Sequence, residues 1–314
     1  MKTSDPTSQL QLVVVVPACN EEKAIAETLE GLANQNLKPS KVIVVDDRSE
    51  DKTYSTAKRY EEKDPGLFKV VRKTSSTFPD DWHLLGEHIA EAFNFGVKEL
   101  PNGWHYLAKI DADMSLDPFF FEKIIHEMDI DKRIGLASGV VTQEEKYRVS
   151  VRGGCRVYRK ECWDQITAPP GGKAASDVQF AQGYAPPLNA WDTFLENKAR
   201  TLGWKSRVVD GARATMQRPT GGMSLRARLR ASIRMGDSSR RNGYLWYFFL
   251  ARAARNVVFD PYILKSLLML YGWLWSWSKG KEIYDDRVAE WVQEYQKNRL
   301  LQIIGVRKVA KPEN

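Results

Sequence analysis

The residues up to Val141 predict an α/β fold: a Rossmann-like, mostly parallel sheet with helices on both faces. Two observations carry this expectation. Short valine-rich runs, Leu12–Val16 and Val42–Val45, have the length and β-branched content of strands buried on both sides. Between such runs lie segments with apolar residues at helical spacing, and repeated strand–helix alternation calls for parallel strands joined by crossover helices. A third observation concerns the rest of the chain. Regularity fades after Val141, and the last third is basic and aromatic, so residues 1–222 are expected to form the α/β domain and 223–314 a helical C-terminal extension.

Taken in order, Leu12–Val16 reads as the first strand, ended by Pro17. Glu21 to Ala33 carries Ala24, Ile25, Thr28, Leu29 and Leu32 at helical spacing. Pro39–Ser40 breaks the chain before the second strand, Val42–Val45, and Ser49–Glu50–Asp51 resembles a helix start leading into Thr53–Tyr60. Phe68–Val71 is a third strand, and a loop from Lys73 to Trp82 precedes a helix over Leu85–Leu100. Tyr106–Ile110 is the fourth strand and runs directly into Asp111–Ala112–Asp113. Pro118 suits the first position of a helix over Phe119–Met128, and Ile134–Val141 is a fifth strand. Thr167 to Pro187, rich in proline and glycine, reads as a loop or lid, and Asp192 to Leu202 as a helix.

Composition narrows the function. With 314 residues, 43% of them hydrophobic, the chain can bury a large core. Three cysteines form no disulfide framework and fit a reducing compartment. The stretch Met1–Pro6 lacks the apolar core of an export signal, and no run approaches the roughly 20 apolar residues of a membrane span. A cytoplasmic location is therefore expected. The net charge of +7 is concentrated: between Trp204 and Arg255 there are twelve Lys and Arg against two acids, Asp210 and Asp237. Such a block suits phosphate-bearing partners, or is simply a solvated basic face.

Three polar clusters follow predicted strands: Pro17–Ala18–Cys19–Asn20–Glu21–Glu22, Asp46–Asp47–Arg48–Ser49 and Asp111–Ala112–Asp113. In a doubly wound sheet ligands collect beyond the carboxyl ends of the strands, so all three should meet at one edge. With 20 aspartates in the chain, an Asp-x-Asp by itself means little, and Asp129–Ile130–Asp131, which follows a helix, reads as a solvated turn. After a strand, two carboxylates one residue apart can face a hard divalent cation that also binds phosphate oxygens. Asp47 can accept from a base N–H and Glu21 from a ribose hydroxyl, although both would also serve as acids at a helix start. No Gly-x-Gly-x-x-Gly and no Gly-x-x-x-x-Gly-Lys-Ser/Thr occurs, which disfavours a dinucleotide-binding dehydrogenase and a P-loop nucleotidase.

Val13–Glu22, Val42–Ser49 and Lys109–Asp113, in that order and spacing, resemble family 2 glycosyltransferases of GT-A fold, over about residues 10–215. The resemblance implies an inverting transferase with a UDP- or GDP-linked sugar donor. It places Pro17, Glu21 and Asp47 on the nucleoside, with Asn20 also binding the donor, Asp111 near ribose or a phosphate-side hydroxyl, and Asp113 on Mg2+ or Mn2+. Asp192, after Trp191, takes the position of the family's base, without the usual preceding glutamate. A carboxylate there suits the proton of an attacking hydroxyl, and an N-cap role would explain the same placement. The family's Gly-Lys…Ala-x-Asn-x-Gly stretch reads here Gly86–Glu87–His88…Ala92–Phe93–Asn94–Phe95–Gly96, without the basic residue. Its downstream metal histidine is also missing, because His83, His88, His105 and His126 all precede Asp192. Arg218, Arg234, Arg240 and Arg241 are candidates to neutralise a diphosphate. Arg241, beside Asn242–Gly243–Tyr244, resembles the segment that closes over donor in relatives. The expected acceptor is a glycan or a lipid-linked one.

Tyr244–Leu250 and Tyr271–Trp277 are dense in aromatics with basic flanks, as in segments that lie at an anionic membrane surface. Packing on the catalytic domain or on a second subunit is the competing expectation. Two other functions stay open at this point: a sugar-phosphate nucleotidyltransferase, which should show a glycine-rich basic loop after the first strand, and a non-enzymatic basic protein binding membrane or nucleic acid. Nucleic acid is not expected as a partner, since it leaves the acidic strand ends unexplained.

Overall fold

Leu12–Ala18 (β1) is buried at every position except the half-buried Pro17. Successive strand residues point to opposite faces, so both faces of β1 are covered. It is followed in the computed structural model by Ile25–Ala33 (α1), Lys41–Asp47 (β2), Thr53–Lys63 (α2), Phe68–Lys73 (β3) and, after a 3-10 turn at Trp82–Leu84, Leu85–Val97 (α3). Then come Tyr106–Ile110 (β4), Met114–Leu116 (β5), Phe120–Ile130 (α4), Ile134–Val141 (β6), Cys155–Arg159 (β7), Lys160–Ile166 (α5), Trp191–Thr201 (α6) and Lys205–Met216 (β8). The chain ends in Leu225–Arg241 (α7), Trp246–Asn256 (α8), Ile263–Ser278 (α9) and Asp286–Ile303 (α10). The structure describes residues 10–143, 150–217, 224–257 and 262–303. Arg218 and the expected division at 222/223 lie outside them.

Two compact units emerge. The first comprises residues up to 76, 91–165 and 204–219; the second comprises 77–90, 166–203 and 220 onward. The first holds one eight-stranded sheet in the order β3-β2-β1-β4-β7-β6-β8-β5. β3, β2, β1 and β4 are parallel, and their registers align Val45 with Pro17, Asp46 with Ala18, and Lys109 with Val15. The carboxyl ends of these strands therefore share an edge. β7 enters antiparallel between β4 and β6. Gly96 packs directly on this sheet: a Cβ there would stand 2.5 Å from Val15 and 2.8 Å from Val45, so only glycine lets α3 lie so close.

Several expectations change. Pro17 does not end β1; the strand runs through it to Ala18. Asp46 and Asp47 are the last residues of β2 rather than a loop after it. β5, β7, α5 and β8 were not expected. β4 and β5 lie four places apart in the sheet, yet only Asp111–Asp113 separate them. Four strand steps span about 19 Å in a flat sheet, whereas the connecting residues reach at most about 14 Å. The sheet must curl, bringing β5 back toward β4 and holding the Asp-Ala-Asp link across the bend.

The second unit is helical. α7 packs along α9, α8 on α9, and α6 on α10. A bridge between Ala174 and Asp285 ties the proline-rich segment to the start of α10.

Candidate functional site

The loops after β1 and β2 are laced together. The Asn20 N–H donates to Ser49 Oγ (3.0 Å), and its side-chain oxygen accepts from the Glu50 N–H (2.9 Å). The Glu21 N–H donates to Thr53 Oγ1 (2.7 Å), the Glu22 N–H to Asp51 (3.1 Å), and the Lys52 N–H to Glu22 (3.2 Å). Asn20 and Arg48 both take left-handed backbone, φ 57° and 59°. Asparagine tolerates this well, whereas arginine costs roughly 1 kcal/mol, which the surrounding bonds must hold in place. The Glu21 carbonyl accepts from the Ala24 and Ile25 N–H groups, so this acid residue opens the turn into α1.

Asp47 is only 6% exposed. Its Oδ1 accepts from Lys73 Nζ and from Arg48 Nε, each at 3.0 Å. Lys73 also pairs with Glu91 at 2.9 Å, and the Arg72 guanidinium lies 3.0 Å from the fully buried Asp46 carboxylate. A carboxylate has about four acceptor sites, so these cations fix the orientation of Asp47 without using its full capacity. Cys19 belongs to the same cluster: partial burial of its thiol, then the Asp47 charge, raises its pKa, against an opposing effect from Arg48.

At the end of β4 the Asp111 N–H donates to the Gly154 carbonyl (2.8 Å), and Lys109 Nζ pairs with Asp111 Oδ1. The aspartate side chain is 40% exposed and its lysine partner 6%, so charge is buried behind and carboxylate faces outward. A Cβ on Gly154 would stand 2.7 Å from Asp111 Oδ2. The Ala112 carbonyl accepts from Thr28 Oγ1 of α1 (2.7 Å) and the Asp113 carbonyl from the Gln217 N–H (2.8 Å). Both backbone anchors leave the two carboxylates to be placed by a rigid link. Among the described residues there is no group of three or more His, Cys, Asp or Glu able to hold a metal. The donor set still fits a hard cation of the Mg2+ or Mn2+ type, which uses one or two carboxylates and takes its remaining oxygens from water and phosphate.

Asp129–Ile130–Asp131 is at the surface but does not follow the helix as a turn: Asp129 and Ile130 are the last two residues of α4 and Asp131 is its C-cap, with Asp129 bound to Lys132 and Ile130 exposed.

Asp192 and Arg241 belong to the second unit. Asp192 lies in the first turn of α6 and is not its N-cap; Ala190 is, with φ 58°. Asp192 Oδ1 accepts from the Thr193 N–H at 2.8 Å. Ala190 and Thr193 line a cavity of about 280 Å3 with Asn189, Arg234, Ser238 and Asn242. Arg241 is 3% exposed; its guanidinium pairs with Asp177, donates to the Glu282 carbonyl (3.0 Å) and stacks over the Tyr284 ring at 4.2 Å. Arg234 donates to the Trp82 carbonyl and Arg240 to Ser276.

Pro17, Asn20, Glu21, Asp47, Asp111 and Asp113 are thus all carried at the carboxyl ends of β1, β2 and β4. Sequence reasoning overlooked Lys73, Thr53, Gly154 and Gln217, which help to orient them. Lys73 was findable by the same rule that found Asp47, because it ends the neighbouring parallel strand.

Residues 13–167 match the family model described as Glycosyl transferase family 2. This segment of the chain belongs to that family. The mannosyltransferase PcManGT from Pyrobaculum calidifontis, solved with GDP-Man and Mn2+, aligns over 97% of this chain and 78% of its own, with a TM-score of 0.56 at 20% identity. At that identity the likeness establishes the fold, and the family 2 segment has the GT-A architecture its motifs implied. S. aureus TarS 1-349 aligns over 72% of this chain and 65% of its own, with TM-score 0.47 and 18% identity. The uncharacterized protein MJ1222 of Methanocaldococcus jannaschii is 51% identical over 116 residues, which span 37% of this chain and 40% of that protein.

Proposed function

We propose that the chain is an inverting glycosyltransferase that moves a sugar from a UDP- or GDP-linked donor to a glycan or lipid-linked acceptor. The observation that carries this reading is the laced pair of loops after β1 and β2, which presents acidic groups at fixed positions on the sheet edge where the Asp111–Asp113 link also starts. Glu21 and Asp47 would accept from ribose and base, with Pro17 and Asn20 shaping the same wall. Asp111 would meet a ribose or phosphate-side hydroxyl. Asp113 would hold Mg2+ or Mn2+, whose charge offsets that of the diphosphate when bound. PcManGT, the GT-A relative, was solved with Mn2+ and GDP-Man, which supports a metal and a nucleotide sugar here.

Asp192 would take the proton of the acceptor hydroxyl as its oxygen bonds to the anomeric carbon. The bond from that carbon to the diphosphate breaks in the same step, and the nucleoside diphosphate leaves with the electron pair. Arg241, held by Asp177, would reach a diphosphate only by exchanging one anion for the other. Free cysteines support a reducing, cytoplasmic setting. The loop after β1 carries two acids and no glycine, which favours this reading over a nucleotidyltransferase.

The test is a panel of UDP- and GDP-sugars scored for hydrolysis and transfer, with and without chelator, in the native chain and Asp192→Asn. We expect chelator-sensitive turnover of at least one donor. The variant should keep donor binding and lose roughly a hundredfold or more of transfer. Full transfer by the variant would remove Asp192 as base, and no turnover of any nucleotide sugar would overturn the proposal.

A further inference from the structure

Helix α9 is inverted relative to a helix that faces water. Its inner side is made of small residues: Ser266, Gly272 and Ser276 are buried with Met269, and the facing side of α7 buries Ser232, Gly236 and Ser239. A Cβ on Gly272 would strike the Ile233 carbonyl of α7, and one on Gly236 the Met269 carbonyl of α9, so the two backbones touch. Its outer side is large and apolar. Ile263, Leu267, Tyr271 and Leu274 follow one another at helical spacing, flanked by Leu264 and Trp277, and all are between 44% and 68% exposed. A water-facing helix buries its large apolar side chains. Small residues against the neighbouring helix, with large apolar ones outward, is the arrangement of helices in lipid.

The helix has 16 residues, a length of about 24 Å. No helix among the described residues is long and apolar enough to cross a membrane. The stripe therefore suits a position along a bilayer surface. α8 continues it with exposed Trp246, Tyr247 and Leu250, and is fixed to α9 by the Phe249–Trp273 stack at 4.3 Å and a 2.6 Å hydrogen bond from Ser266 Oγ to the Ala253 carbonyl. Charge selects the kind of surface. Residues 242–281 include a single acid, Asp260, against Arg252, Arg255, Lys265, Lys279 and Lys281, the last of which pairs with Asp237. Tryptophan and tyrosine favour the headgroup layer, and each basic side chain near it is attracted by anionic lipid.

We infer that the outer face of α9, with the exposed face of α8, docks this protein on an anionic bilayer, its apolar side chains at the acyl boundary and its basic ones among the lipid phosphates. The inference stands apart from the catalytic proposal, because its readout is binding. The full chain is floated with vesicles of phosphatidylcholine alone or mixed with phosphatidylglycerol. We expect retention on the mixed vesicles, weakened by salt, and little on the neutral ones. The triple variant Ile263→Ser, Leu267→Ser, Leu274→Ser should lower retention about tenfold or more with its circular dichroism and melting midpoint preserved. Leu202→Ser, which removes an exposed leucine elsewhere, should bind as the native chain does. Absent retention, equal retention on both vesicles, or native-like retention of the triple variant would each overturn the inference. So would a dimer, seen by sedimentation, that the triple variant dissolves while vesicles capture neither protein.

Discussion

Replacing Gly154 with alanine isolates the placement of one carboxylate. Gly154 lies outside the left-handed region, so alanine fits its backbone. The new Cβ would stand 2.7 Å from Asp111 Oδ2 and 3.4 Å from its Cγ. A relaxed carbon–oxygen contact needs about 3.3 Å, so the carboxylate must retreat by roughly half an ångström. The Asp111 side chain is 40% exposed and can turn outward. The cost to stability should then stay below about 1 kcal/mol, against the 1–3 kcal/mol of overpacking in a closed core. Function should suffer more. A displaced carboxylate that loses one charged hydrogen bond to the donor, worth about 1.5 kcal/mol, should weaken donor binding about tenfold. Calorimetric titration of GDP and UDP with Mn2+, beside urea unfolding, measures both quantities. Unchanged nucleotide affinity would refute the role given to Asp111. A stability loss of several kcal/mol would refute the claim that its carboxylate can yield.

Two further outcomes are expected. Burial, aided by Asp237 and only partly opposed by a hydrogen bond from its own backbone N–H and by Lys281 and Arg241, raises the Glu87 carboxyl to about 7. The folded form thus holds its proton more tightly than the unfolded one, and the stability this brings is present below about pH 4.5 and lost as pH rises through 7. Over that interval the loss should be about 3 kcal/mol as an upper figure, and Glu87→Gln should flatten it; parallel urea curves for the two proteins at pH 5 and 8 would show the linkage to be absent. Cys19 is the exposed one of the three cysteines, and its thiol pKa is raised by burial and by Asp47. Its alkylation should be slow near neutrality, faster at higher pH and further slowed by nucleoside diphosphate, as read by peptide mass spectrometry. Equal rates with and without nucleotide would detach this loop from the donor site.

The sequence was most legible where burial is two-sided and apolar. β1, β2, β4 and β6 announce themselves because most of their buried positions are Val, Ile, Leu or Ala. β7 did not, because Arg156 and Arg159 sit inside a strand buried at every position, their charges met by the Val151, Ile134 and Met128 carbonyls. β8 was hidden by its irregular pairing with β6, where the register shifts after Gly139, and by Asp210–Gly211 in its middle. The site was legible as acids at strand ends. Their counter-charges were less so: Arg48 follows Asp47 directly, and Lys73 ends the neighbouring parallel strand, but that either would pair with Asp47 depends on register and packing. Asp192 read as a helix start, and only the left-handed backbone of Ala190 shows that the cap lies two residues earlier. The aromatic tail suggested either packing or a membrane; α9 buries one face of small residues and leaves a large apolar one exposed, which composition cannot separate.

The most direct measurement is metal-dependent nucleotide binding by the native chain and by Asp113→Asn, with GDP and UDP titrated in the presence and absence of Mn2+. We expect the native chain to bind one of the two with an affinity that drops sharply without metal, and the variant to lose about tenfold or more of the metal-dependent part at an unchanged unfolding midpoint. Identical metal-dependent binding by both proteins would contradict the assignment of the Asp111–Asp113 link as the place where cation and diphosphate meet.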